Sequence, residues 1–459
     1  MVHKFTMNSL FIVMDINSGA IHIVDELTYK LLDHAQSRAD LDNTRLFAEM
    51  SGSDYSEEDI SDCLEELRRI ADEGALFTPD IYEGYTAEIS GDTVKALCLH
   101  IAHDCNLRCK YCFAGKGAYN GERALMSGEV GKAAIDFLLS SSNKRRQLEV
   151  DFFGGEPTVN FDTVKEIVSY ARVREAEYGK QIRFTLTTNG VLLNESNIGY
   201  INEHMRNVVL SADGRKSVND KMRTTLGGGG SYDIVMPKFK EIAESRGQEN
   251  YYIRGTFTRE NLDFSEDVKH LADLGFKQIS VEPVTAGEEE GYALREEDLP
   301  VLFKQYELLA DEVLKREREG NGFNFFHFMI DLDGGPCVIK RLTGCGAGNE
   351  YLAVTPEGDL YPCHQFVGEH DFKMGNVLSG ISEEGKTIRG KFSACNIYSK
   401  PECGQCWARY YCGGGCAAAA YFQSGDISSP YRLGCELMRK RIECAVYMNA
   451  VRAFNSRLE

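Results

Sequence analysis

Three cysteines hold the densest chemistry in the chain. In Cys105-Asn106-Leu107-Arg108-Cys109-Lys110-Tyr111-Cys112 they are separated by three and then two residues. Thiolates at that spacing can each bind one iron of a four-iron cube, leaving the fourth iron open to a substrate or cofactor. A zinc site would want a fourth ligand, which His103 can supply, and a disulfide would leave one cysteine over. A second group lies towards the C-terminus: Cys345, then Gly358 and Cys363, then Cys403-x2-Cys406-x5-Cys412-x3-Cys416, and Cys435. Structural zinc is the alternative to iron–sulfur there, and it would fix the fold without supplying electrons.

The rest of the composition bounds the reading. The chain has 459 residues and fifteen cysteines, ten of them between Cys337 and Cys444. A length near three times the ~150-residue prior for one domain buries a large core without disulfides, so the cysteines point to metal or redox work. Acidic residues outnumber basic ones 70 to 51, a net charge of −19, which argues against a general nucleic-acid binder. No secretory leader opens the chain and no apolar run approaches the ~18 residues of a membrane span, so a cytoplasmic location is expected.

Elements that must carry these residues follow from the hydrophobic period. Residues 1–85 read as a small unit of their own, winged-helix-like. Its short strands Leu10–Met14 and Ala20–Val24 flank a turn, and its helices span Glu26–Ala35 and Ser56–Glu73, the latter opened by a Ser56/Asp59 capping box. Residues 95–335 alternate. Strand-like runs at Ala96–Ala102, Leu148–Phe153, Ile182–Thr187, Val208–Ala212, Tyr251–Phe257 and Gln278–Glu282 are separated by helices such as Glu129–Leu139, Phe161–Glu177, Tyr232–Ser245 and Asp298–Arg318. Six β–α repeats predict an α/β fold with a parallel sheet, open or partly closed into a barrel. Residues 336–459 are loop-rich, with one long helical pattern at Leu433–Phe454, and need cysteine–metal bonds to hold them. Gly227–Gly230 lacks a following Lys-Ser/Thr and reads as a flexible loop rather than a phosphate cradle. Cys63, Cys98, Cys395 and Cys444 belong to no motif; Cys63 and Cys98 lie in apolar patterns and are expected to be buried.

Motifs fall at the ends of these strands. Cys105–Cys112 follows the first, where ligand-binding loops of parallel sheets belong. Gly154-Gly155-Glu156-Pro157 closes the second, Thr187-Thr188-Asn189-Gly190 the third and Ser211-Ala212-Asp213-Gly214 the fourth, with Arg223 shortly beyond. Each alone would be a tight turn; all in register resemble the radical S-adenosylmethionine (radical SAM) superfamily. That resemblance implies a partial (β/α)6 barrel. Cys105, Cys109 and Cys112 would then hold the catalytic [4Fe–4S] cluster, and Tyr111, Gly154, Gly155, Glu156, Pro157, Thr187, Thr188, Asn189, Ser211, Asp213 and Arg223 would hold SAM. The reduced cluster cleaves SAM to a 5′-deoxyadenosyl radical, able to take hydrogen from unactivated carbon.

The seven C-terminal cysteines resemble the SPASM extension of peptide-modifying radical SAM enzymes. This implies two auxiliary [4Fe–4S] clusters, one on Cys403, Cys406, Cys412 and Cys435, the other on Cys345, Cys363 and Cys416. The second is one thiolate short, and either Cys337 or a cysteine of the substrate can complete it. The N-terminal unit, the core and the tail together resemble maturases of ribosomal peptides, most of all the SCIFF (six-cysteine) group of ranthipeptide and sactipeptide type. His100-Ile101-Ala102-His103-Asp104-Cys105 and Tyr361-Pro362-Cys363-His364-Gln365-Phe366 carry that likeness. It implies thioether links from cysteine sulfur to carbon in a Cys-rich precursor peptide, a leader bound at the N-terminal unit, and a ferredoxin or flavodoxin as reductant. Two alternatives stand beside it. Anaerobic sulfatase maturases, which make formylglycine, carry Asp where this chain has His364. A non-enzymatic iron–sulfur electron carrier would leave the strand-end motifs without purpose.

Overall fold

The computed structural model describes residues 1–42, 55–82, 93–119, 121–332 and 338–456. Strand β1 (Val2–Met7), which the sequence reading did not anticipate, joins β2 (Leu10–Asp15) and β3 (Ile21–Val24) in an antiparallel sheet. Helices α1 (Glu26–Leu31) and α2 (Glu57–Asp72) follow, the second with the expected Ser56/Asp59 capping box and the first shorter than its apolar pattern. Alternation along β2 gives the unit two faces. Val13 packs with Leu27, Leu31, Leu64 and Leu67, whereas Ile12 and Met14 join the main core.

Six parallel strands form the centre: β4 (Ala96–Ala102), β6 (Gln147–Gly154), β7 (Gln181–Thr188), β8 (Asn207–Ser211), β10 (Tyr251–Phe257) and β11 (Gln278–Pro283). They lie side by side in that order, and β12 (Asn324–Phe325) adds to β11. All seven residues of β4 are buried, as a parallel strand covered on both faces requires. Helices α3 (Gly128–Ser141), α4 (Phe161–Glu177), α5 (Glu195–His204), α6 (Lys216–Met222), α7 (Tyr232–Ser245), α8 (Phe264–Asp273) and α9 (Leu299–Arg318) make the crossovers. Ser127 and Asn194 cap α3 and α5 through their side chains.

The sheet does not stop at the cysteine-rich segment. β13 (Tyr351–Val354) pairs parallel with the free edge of β4, and β14 (Asp359–Tyr361), β15 (Gly375–Asn376) and β16 (Gly380–Ile381) continue it antiparallel to eleven strands. The one long helical pattern of the C-terminal segment is a helix as expected, and shorter helices accompany it. Besides α12 (Arg432–Asn455) there are α10 (Glu383–Ala394) and α11 (Ala417–Ser424). The glycine run is also more ordered than its composition suggests. Thr225 N–H donates to the Gly229 carbonyl and Gly228 N–H to that of Thr225, a closed turn. No helix among the described residues is long and apolar enough to cross a membrane.

Candidate active site and iron–sulfur sites

The Cys105–Cys112 loop leaves β4 and is held by a two-stranded clip. β5 (Leu107–Cys109) pairs antiparallel with β9 (Arg223–Thr225), placing Cys109 opposite Arg223. Close approach of backbone to backbone explains the glycines beside it. A Cβ on Gly155 would lie 2.1 Å from the Asp104 carbonyl oxygen, and one on Gly154 2.4 Å from that of Ala102. The strand-end loops thus seat directly on the cysteine loop.

Glu156 locks these loops together. Its buried carboxylate accepts from Thr158 N–H (3.1 Å), the Thr158 hydroxyl (2.5 Å), the Thr188 hydroxyl (2.7 Å) and Asn189 N–H (2.7 Å). Asn189 Nδ2 in turn donates to Asn106 Oδ1 (2.8 Å) and lies 3.6 Å from the Cys105 sulfur. Behind Cys109, the Tyr111 hydroxyl donates to Asp213 (2.7 Å) and accepts from Arg223 Nη1 (2.8 Å). Burial raises the Asp213 pKa to about 6, against the pull of Arg223 and Tyr111.

A cavity of about 230 Å³ opens onto the three thiols and is lined by Tyr111, Gly154, Gly155, Glu156, Thr187, Thr188, Asn189, Ser211 and Arg223 from the expected set. Pro157 and Asp213 stand outside the lining. Pro157 starts the helical turn after Glu156, and Asp213 spends its carboxylate on Tyr111 and the Thr256 N–H. The opposite wall was not anticipated: Arg254 and Thr256 from β10, Glu282 from β11, and His364 and Gln365 beyond Cys363. Arg254 Nη2 contacts Glu282 Oε2 at 2.8 Å. Burial would raise the Glu282 pKa, but Arg254 and its neighbours outweigh this and hold it at about 2. Burial also lowers His364 to about 4, so this ring is neutral near pH 7. Polar side chains at alternate positions of otherwise apolar strands, Arg254 and Glu282 among them, were the sequence signal for this wall.

The C-terminal thiols fall into two groups. Cys403, Cys406, Cys412 and Cys435 together line one cavity of about 310 Å³. Burial pushes the Cys363 thiol up to about 12, and the nearby Cys416 and Cys345 add to the rise. Cys337 lies outside the described residues. Cys98 and Cys444 are buried as apolar groups, whereas Cys63 is only half-buried. Among the described residues no three His, Cys, Asp or Glu side chains converge on a single-ion site. The donor sets fit clusters: thiols ringing a space, with Asn189 Nδ2 near the Cys105 sulfur and Arg439 Nη1 donating to that of Cys406 at 3.8 Å.

Comparison with known proteins agrees with this chemistry. A family model described as a 4Fe–4S single cluster domain matches residues 89–236, and the SPASM model, an iron–sulfur cluster-binding domain, matches residues 345–407. The mycofactocin maturase MftC of Mycobacterium ulcerans is 28% identical over 343 residues, 74% of this chain and 87% of that one. The radical SAM cyclopropyl synthase TigE of Paramaledivibacter caminithermalis is 24% identical over 464 residues, 94% of this chain and 91% of its own. Among solved structures, anSMEcpe with bound AdoMet and the Cp18Cys peptide has the same core fold, with a TM-score of 0.63 at 21% identity over 79% of this chain and 99% of that one. The chain is a radical SAM enzyme with a C-terminal SPASM domain, using SAM and more than one [4Fe–4S] cluster.

Proposed function

We propose that this enzyme is a peptide maturase that joins cysteine sulfur to carbon in a ribosomally made, Cys-rich precursor peptide. The observation that carries the reading is the lining of the 230 Å³ cavity. One wall is the SAM-side loops and the Cys105–Cys112 thiols; the other includes His364 and Gln365, directly after Cys363. A residue in this space lies between the catalytic cluster site and the loop of an auxiliary thiol. Cys105, Cys109 and Cys112 would hold the cluster that, once reduced and with SAM bound, would supply radical chemistry able to take hydrogen from an unactivated carbon. The chain itself orients the target against the Cys105 loop, excludes water and keeps a neutral His364 at the cavity wall.

The site assignments belong to this reading. Cys105, Cys109 and Cys112 hold the catalytic cluster, and the nine lining residues from Tyr111 to Arg223 contact SAM. Pro157 and Asp213 act behind them. The division into a recognition unit (1–85), a radical SAM core (95–335) and a SPASM region (336–459) is likewise part of it. MftC is named a maturase, and the anSMEcpe structure contains a peptide, which supports a peptide substrate. The leader would add a strand to the N-terminal sheet at β3, which pairs only with β2 among the described residues. Ferredoxin or flavodoxin would deliver electrons in the cytoplasm.

The test is anaerobic co-expression with a short Cys-rich precursor peptide, followed by mass spectrometry. Loss of two hydrogens per link, absent with Cys105→Ala, supports thioether formation. Conversion of a cysteine to an aldehyde with loss of sulfur would replace this reading with formylglycine formation. No 5′-deoxyadenosine from SAM would sink both.

A further inference from the structure

The cavity shared by Cys403, Cys406, Cys412 and Cys435 has an unusual neighbour. Lys400 is 3% exposed, although lysine is seldom buried unpaired. Its Nζ donates to the Gly414 carbonyl at 2.9 Å, and Gly414 lines the same cavity as the four thiols. No carboxylate among the described residues is bonded to it. The exposed Asp426 carboxylate lies near enough to feel its charge but forms no ion pair with it. The thiols of Cys403 and Cys412 both feel Lys400 as a nearby positive charge. Arg439 adds a second cation, with Nη1 on the Cys406 sulfur and Nη2 on Glu436.

A buried ammonium without an ion-pair partner is costly, so such a group is retained where an anion faces it. Four thiolates around an iron–sulfur cube carry a net negative charge, which supplies that anion. From this arrangement we infer that Lys400 is the fixed counter-charge of the cluster held by Cys403, Cys406, Cys412 and Cys435, and that it raises the reduction potential of this cluster. The reduced form carries one more negative charge than the oxidised form, so a cation held close to it favours uptake of that electron. Arg439 acts in the same direction through its hydrogen bond to sulfur. The main chain around Gly413–Gly415 is in left-handed conformation at all three glycines, which turns the Gly414 carbonyl towards Lys400 and fixes the ammonium in place.

This inference rests on the assignment of those four cysteines to one cluster, and the experiment separates the two. The reconstituted full-length enzyme is titrated with dithionite under anaerobic conditions and followed by electron paramagnetic resonance and iron analysis. Cys412→Ala must remove one cluster's worth of iron and one signal; if it does not, the cluster assignment fails. With that established, Lys400→Met is expected to keep the iron content and raise the oxidised-to-reduced ratio of this cluster at least tenfold at a fixed potential. For a one-electron couple that corresponds to a fall of about 59 mV. Lys400→Arg restores the ratio. Should Lys400→Met fail to load the cluster, Arg439→Gln carries the test, with a shift in the same direction. An unchanged ratio in every loaded variant, or an equal shift in all clusters of the enzyme, would overturn the inference.

Discussion

Tyr111, Asp213 and Arg223 form a buried chain directly behind Cys109. Arg223 and Asp213 approach only to 4.0 Å, so the Tyr111 hydroxyl is what links them. Tyr111→Phe removes that link and leaves buried polar groups short of a partner, at a cost of about 1–3 kcal/mol. SAM affinity, read by calorimetric titration, is expected to fall roughly tenfold, while iron content stays at the wild-type level. Gly155→Ala should act more severely, because the new Cβ meets the Asp104 carbonyl carbon at 2.6 Å as well as its oxygen. There the expected outcome is loss of the Cys105–Cys112 cluster, measured as iron bound, with the auxiliary clusters retained. Residue types and spacing picked out nine of the residues that line the cavity beside the Cys105–Cys112 thiols. They could not separate residues that face the cavity from those behind it, because Glu156 and Asp213 are both buried carboxylates held by several donors and only the fold places one on the lining.

Element by element, legibility followed strand length. β4 stands out because burial on both faces writes it as a continuous apolar run, and β6, β7, β8 and β10 because their buried residues fall at alternate positions over five to eight residues. β5, β9, β15 and β16 have two or three residues each, too few for any period to show. Yet β5 and β9 hold the cysteine loop, and β13 to β16 attach the auxiliary-cluster region to the core. Glu350 reinforces that attachment. It precedes β13, its carbonyl accepts from Lys95 and Ala96 N–H at the start of β4, and its carboxylate pairs with Lys95 and Arg145 at 2.6 Å each. Burial would raise the Glu350 pKa, but the Lys95 and Arg145 charges prevail and hold it below the ordinary glutamate value. A carboxylate depressed in the folded state stabilises above its unfolded pKa, and the gain is lost as pH falls through the folded one. Glu350→Gln should therefore melt earlier at pH 7, by about 1 kcal/mol, and match the wild type in acid. A difference that persists after pH has fallen through the folded-state pKa of Glu350 would rule out an ionic origin.

Across the whole molecule, the N-terminal unit is tied to the auxiliary-cluster loops rather than tethered beside them. His3 of β1 stacks on Trp407 with ring centroids 3.6 Å apart, and Trp407 follows Cys406. Asp80 pairs with the buried Arg409 at 2.9 Å and accepts from the hydroxyls of Tyr398 and Tyr410. Asp80→Asn leaves Arg409 with an uncompensated buried charge and is expected to cost about 3 kcal/mol. Trp407 is the single tryptophan, so its emission should report the undocking. Because Ile12 and Met14 belong to the main core, deleting residues 1–85 would unfold more than a recognition unit. The cleaner probe of recognition is proline at His22 and at Ile23 in turn. One of them should weaken peptide binding at the β3 edge while SAM cleavage without peptide continues.

The central claim is that the cavity brings a carbon of a Cys-rich peptide to the SAM site. It is tested most directly by supplying a Cys-rich precursor peptide with deuterium on its carbon-bound positions and analysing the 5′-deoxyadenosine formed in a single turnover. The account predicts deuterium in that product and a peptide lighter by one deuterium and one thiol hydrogen per link. Unlabelled 5′-deoxyadenosine with a peptide of unchanged mass would contradict it.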